Sequence, residues 1–339
     1  MYKIQIRDSN NVALGEFDSF MELKFGKRLN NYGSCSFSVP MSQTKITSLI
    51  ALRQYTVWIY RDITLVWAGE MVMRDGELDN QGGGKVTVYC FDWLEQLKSR
   101  YTPALVTYAQ IDAGQIFWNS INTSQLETNG DLNITLGTIE ATVLRDRTYY
   151  NQNILELGVN LSNVISGFDF EITNDRVFNV FSTIGENKTN DIVLQHGHNV
   201  ITSRINEDFT NPVNRAVVLG EADALNVLQR VDTNDLTSQA LIGLREQVLT
   251  DTDISELATF TAKGEALNRK YSTRLLKLDN DLLPNSPNIT EFFLGDLIRV
   301  KVQNAVYNID EEYRIFEWEL VYTDNNEEKL SLILGKFTL

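Results

Sequence analysis

The stretch Asp191–Glu221, DIVLQHGHNVITSRINEDFTNPVNRAVVLGE, holds the only two histidines of the chain. If His196 and His198 share a metal ion, the chain is an enzyme built around this stretch. If they decorate a turn, the stretch is only the passage between two β-rich blocks. Zinc catalysis needs a third protein ligand with a supporting shell, and the sequence has neither HExxH nor paired-cysteine spacing. Gly197 and Asn199 are residues that accept positive φ and form turns. The turn reading therefore prevails, with a metal-dependent hydrolase using His196 and His198 as the lesser alternative.

Outward from this turn, the flanking runs Asn199–Asn206 and Val213–Leu219 read as strands. The first hundred residues read the same way: Tyr2–Arg7, Thr56–Tyr60, Thr64–Ala68 and Lys85–Phe91 alternate or are rich in Val, Ile, Tyr and Trp. Gly82-Gly83-Gly84 fits a hairpin loop between Met71–Arg74 and Lys85–Phe91. It fails as a phosphate loop, because Lys85 is followed by Val86 rather than Ser or Thr. Phe91–Tyr101 switches to helical spacing through Phe91, Leu94 and Leu97, and Pro103 marks a boundary.

Between Tyr101 and Gln195 the texture is mixed. Helices are expected over Asp112–Asn122 and Asn153–Ser166, the second opened by Asn153 as N-cap with Glu156 three residues on and stopped by Gly167. Leu132–Thr138 is a strand, and Phe168–Ile172 and Arg176–Ser182 form a strand pair. Asp253-Ile254-Ser255-Glu256 forms a second capping-box pattern, opening a helix to about Tyr271. Leu297–Val302, Tyr313–Tyr322 and Lys329–Leu334 return to strands. The order is a β-rich block, an α/β block, and a second β-rich block carrying one helix.

At 339 residues with 43% hydrophobic content, the chain has room for about two domains. Lys plus Arg is 30 against Asp plus Glu 45, a net charge of −15, so sequence-specific DNA binding is not expected. No apolar run spans a bilayer, and Met1–Asp8 lacks the apolar region of a secretory signal, so folding in a cytoplasm is expected. Cys35 and Cys90 lie in strand-like runs and read as buried free thiols. No G-x-S-x-G is present, and the acidic clusters Glu207-Asp208 and Asp310-Glu311-Glu312 read as solvated loops rather than glycosidase pairs. Trp58, Trp67, Trp93 and Trp318 fall in strand or helix patterns, where core packing outweighs sugar stacking. No catalytic, cofactor-binding or metal residues are assigned.

Three segments then carry a resemblance: LNNYGSCSFSVP (Leu29–Pro40), WAGEM (Trp67–Met71) and VTVYCFDWLEQLKSR (Val86–Arg100). In order along the chain they resemble baseplate hub or tail tip proteins of tailed bacteriophages, also called the tail-associated lysin N-terminal domain-like family. Gly197-His198-Asn199-Val200 and Asn214–Gly220 resemble that family's turn and following strand, IGLREQVLTDTDIS (Ile242–Ser255) its segment before a helix, and FFLGDLIRVKV (Phe292–Val302) a late strand entry. Ile242 stands where an aromatic is common. The series runs to Leu339 with no peptidase- or lysozyme-like segment, so cell-wall cleavage is not carried over.

The resemblance implies an α+β, mainly β fold with two tail-tube-like β-barrel domains, an inserted α/β domain and a small helix-bearing subdomain. By it, residues 1–100 plus 199–222 form the first barrel, 101–198 the insertion, and 223–339 the second barrel with a helix-bearing insertion at about 236–290. It implies a homotrimeric, pseudo-six-fold ring at the virion tail tip, assembled in the host bacterial cytoplasm, through which DNA passes; the net charge of −15 adds the hypothesis that acidic residues lining the lumen would repel the DNA. The implied neighbours are a distal tail or tail tube protein ring above, a tip, fibre or spike protein below, and a tape measure protein in the lumen. A carbohydrate- or receptor-binding tail module is the other alternative.

Overall fold

The computed structural model describes residues 2–335 except 44, 79, 81–82, 165, 223–224, 252–256, 273–274, 285 and 326. The N-terminal unit is antiparallel: β1 (Tyr2–Arg7), β2 (Ala13–Phe17), β3 (Glu22–Arg28), β4 (Asn31–Pro40), a single turn α1 (Ile46–Leu49), β5 (Thr56–Arg61), β6 (Thr64–Leu78) and β7 (Gly84–Phe91). Alternation does what it should here. Tyr2, Ile4 and Ile6 of β1 point inward, and Val86, Val88 and Cys90 of β7 do the same. Cys35 and Cys90 stand directly opposite on β4 and β7, both buried and both free, and burial raises the Cys35 thiol well above its ordinary value.

After β7 the expected helix is a 3-10 segment, Trp93–Ser99, capped by the Asp92 side chain on the Leu94 N–H at 3.2 Å. The insertion follows as β8 (Val106–Asp112), α2 (Ala113–Gln125), β9 (Thr135–Ile139), β10 (Leu144–Tyr149), α3 (Ile154–Ser162), β11 (Asp169–Ile172) and β12 (Val177–Phe181). Asn153 caps α3 as expected, accepting from the Glu156 N–H at 3.2 Å. The helix ends at Ser162, one turn early, and the positive φ of 59° falls on Ser166 rather than on Gly167. The expected strand pair is present as β11 and β12.

The chain then forms β13 (Val193–Gln195) and β14 (Val200–Asp208), leaves for a small body, and returns. That body contains β15 (Arg215–Ala222), β16 (Leu228–Asn234), α4 (Leu236–Ile242), β17 (Glu246–Thr250) and α5 (Leu257–Tyr271). The capping-box pattern at 253–256 lies outside the described residues. The return consists of β18 (Leu275–Leu282), β19 (Leu297–Gln303), β20 (Asn308–Thr323) and β21 (Glu328–Gly335).

The fold is mainly β, and apart from the single turn α1 and the 3-10 segment after β7 the described helices lie in the insertion and the small body. The two barrels of the expectation are, in their pairing, two halves of one 13-stranded sheet, whose principal path is β14-β18-β21-β20-β3-β4-β7-β6-β5-β1-β2. β3 and β20 make the seam between the halves, and a single buried cluster runs through both, from Ile4 and Phe25 to Leu320 and Leu334. The placement of 199–222 in the first barrel does not match the pairing. β14 lies antiparallel to β18 in the second half, and β15 joins β16 and β17 in a separate sheet. The reason is physical: β14 is polar on most positions, so its period marks a strand without naming a partner some 70 residues downstream. The helix-bearing body accordingly begins near Arg215, earlier than the expected 236.

The seam depends on a residue without a side chain. A Cβ on Gly26 would lie 2.4 Å from the Trp318 carbonyl oxygen of β20. Gly26→Ala is therefore expected to destabilise the fold by about 3 kcal/mol. Equilibrium denaturation checks this; an unchanged midpoint would mean that the seam is not tightly packed.

Candidate functional site

The histidine turn is built by its backbone. Gly197 has φ 80°, His198 N–H donates to Gln195 O at 3.0 Å, and His196 N–H donates to Lys301 O at 3.0 Å. The Asn199 side chain closes the turn, accepting from Gln195 N–H at 2.7 Å and donating to Val193 O at 2.9 Å. Both imidazoles are exposed, and among the described residues no group of three His, Cys, Asp or Glu could hold a metal ion. Sequence reasoning identified the turn and the residues that shape it. His196→Ala with His198→Ala is expected to move stability by no more than about 0.5 kcal/mol, read by thermal melting.

The acidic clusters are spread over strand faces. Asp310 pairs with Arg299 at 2.6 Å, and Glu311 accepts from the Tyr313 hydroxyl at 3.0 Å. Trp58, Trp67, Trp93 and Trp318 are all buried. Among the described residues no helix is long and apolar enough to cross a membrane.

Two arrangements that the sequence did not single out dominate instead. The first is a polar sheet face running from β14 to β7. Its charges are paired across strands: Arg204 with Asp279, Lys329 with Asp281, Arg28 with Glu317 and Lys24 with Glu319, the last two across the seam at 3.0 and 2.8 Å. Toward β4 and β7 the face becomes hydroxyl-rich, with Ser34, Ser36, Ser38 and Thr87, and Ser38 and Thr87 are bonded at 2.8 Å.

The second is the junction of the three larger bodies. Arg314 of β20 is buried, forms an ion pair with the buried Asp169 of β11, and donates to Ile184 O at 2.8 Å and Gly295 O at 3.1 Å. Asp169 also accepts from Asn30 Nδ2 at 2.9 Å, in the β3–β4 turn, and from Ile184 N–H at 2.8 Å. One charge pair thus fastens both sheet halves and the insertion. Removing one partner strands the other in a dry site, so Arg314→Ala is expected to lose about 3–5 kcal/mol by denaturation, with a smaller further loss on adding Asp169→Ala.

Nearby, Asp92 accepts from Gly33 N–H at 2.6 Å. Burial pushes its carboxyl up to about 7, against the pull of the Gly33 and Leu94 N–H groups and the Lys27 charge. An unfolded Asp titrates near 3.9, so folding favours the protonated form. That contribution is complete below about pH 4 and is lost as pH rises through about 7. Stability should fall between about pH 4 and 7 and level off above it, and Asp92→Asn should flatten that slope in melts across the range. A slope unchanged by the substitution would assign it elsewhere.

No family model and no curated protein matches the sequence. Solved structures do match the fold. A tail protein from Neisseria meningitidis is 10% identical with TM-score 0.69, covering 99% of this chain and 96% of its own. A 43 kDa prophage tail protein from Shewanella oneidensis is 10% identical with TM-score 0.68, covering 98% and 97%. A prophage tail protein from Listeria monocytogenes is 12% identical with TM-score 0.65, covering 99% and 94%. At such identities the likeness is one of fold, and over nearly its whole length this chain has the fold of phage tail proteins.

Proposed function

We propose that this chain is a structural virion protein, the baseplate hub or tip of a long-tailed phage, and not an enzyme. The observation that carries the reading is the β3–β20 seam, which sets two β units of one chain side by side, combined with the tail-protein fold. Three copies would present six such units around an axis, and this matches a six-fold tube to three-fold parts below. In this reading the tail tube or distal tail ring sits above, a tip, fibre or spike protein sits below, and a tape measure protein occupies the lumen. The action is assembly and passage of DNA through packed interfaces, without a chemical step.

The polar sheet face is the proposed lining of the lumen. Its carboxylates are tied to lysines and arginines, and the rest is hydroxyl, so a passing polyanion meets few free cations to hold it. This replaces an acidic lining with a charge-paired one. The net charge of −15 then acts at longer range, disfavouring adhesion of nucleic acid anywhere on the ring.

Light scattering over a concentration series tests the assembly. One chain is 38.6 kDa, and a trimer would read about 116 kDa, three times that value. A mass that stays at one chain, together with tails imaged without this protein at their tip, would overturn the reading.

A further inference from the structure

On β3, Leu23 and Phe25 face the core, and by alternation the next inward position should be apolar. It is Lys27. The residue stands opposite Trp318 of β20, at the end of the seam where the sheet meets the insertion. Its ammonium makes no hydrogen bond and no ion pair among the described residues. Burial lowers its pKa, while the charges of Asp92 and Glu171 act from a distance to raise it. A half-desolvated cation without a bonded partner is destabilising, and a local rule broken in this way marks a position kept for something other than packing.

The amine lines a cleft of about 230 Å³. Glu171 of β11 lines the same cleft, held only by a weak 3.4 Å contact from Asn179 Nδ2, and it forms no ion pair with Lys27. Most of the remaining wall is apolar, with Leu65, Ile289, Phe292 and Trp318, and Thr64, Asn174 and Thr290 are its uncharged polar positions. The cleft therefore presents one cation and one anion not joined in an ion pair, in a largely apolar pocket smaller than the roughly 300 Å³ at which drug-sized sites begin.

We propose that this junction cleft binds a small zwitterion with an apolar body, of the α-amino-acid class. Its carboxylate lies on Lys27, its ammonium on Glu171 and its side chain against Trp318 and Ile289. A ligand with one charge would satisfy one wall and leave the other unpaired, so the two charges together set the specificity. Because the cleft takes walls from both sheet halves and the insertion, an occupant would bridge the bodies that Arg314 and Asp169 already fasten.

The test uses the full chain and three probes of similar size: L-leucine, 4-methylpentanoate, which lacks the amine, and isopentylamine, which lacks the carboxylate. Ligand-observed NMR titration should show saturable leucine binding, with each single-charge analogue at least about tenfold weaker. Lys27→Met, which keeps the stem, and Glu171→Gln should each lower leucine affinity by a similar factor while melting cooperatively. The wild-type comparison among probes decides the matter even if a variant fails to fold. No saturable leucine binding up to roughly 10 mM, or equal binding of all three probes, would overturn the site. Neither result bears on whether the chain assembles as a trimer.

Discussion

The antiparallel contact between β3 and β20 is the constraint on which the molecule depends. It joins residues near the start of the chain to residues near its end, in a register running from Glu22 opposite Thr323 to Arg28 opposite Glu317. Closing a loop of that length is entropically expensive, although the cost grows only slowly with length. The return comes from the core: Phe25 and Trp318 meet edge to face at 5.7 Å, and Tyr2 packs against both Phe25 and Tyr322. Trp67 Nε1 donates to Gly26 O at 3.2 Å, so the closest-packed point of the seam is also hydrogen-bonded. With the ends fixed, the insertion between β7 and β13 and the small body between β14 and β18 are both excursions from a completed sheet.

Those excursions are secured in different ways. The insertion buries a core of its own, with Phe117 at the centre touching Phe170 and Phe178 edge to face, and extends it onto Trp58 and Ala68 of the sheet. The Arg314–Asp169 pair then fixes its orientation. The small body has a small apolar interior, Val218 and Phe260 forming its buried cluster with Ala216 also buried, while Leu225, Leu236 and Leu241 are largely exposed. Polar contacts hold it together internally, such as those of Asn214, which holds the Gly243 and Arg245 backbones at 2.8 and 2.7 Å.

Elements governed by local rules were legible in the sequence. Alternation located β1, β7, β19 and β21, and the Asn153 cap located α3. Gly197 and Asn199 revealed the turn beneath the two histidines. What was not legible was partnership. β14 has the period of a strand but too few apolar positions to say which sheet it joins, so the first β unit was expected to claim it. The junction escaped for the same reason: Asp169, Arg314 and Asn30 are unremarkable polar residues in their own segments and acquire meaning only when three distant segments converge. Lys27 alone left a trace, a lysine where the alternation of β3 calls for an apolar residue.

The distribution of charge follows from the same geometry. A sheet with one face on the core must solvate the other, and a lone carboxylate on adjacent strands would repel its neighbours. Pairing Lys24 with Glu319 and Arg28 with Glu317 across the seam removes that repulsion and adds specificity of register, since a slip of one residue would turn these charges into the core. What the face offers a neighbour is then chiefly hydroxyls and cross-strand ion pairs. Such a surface offers few free cations to a polyanion.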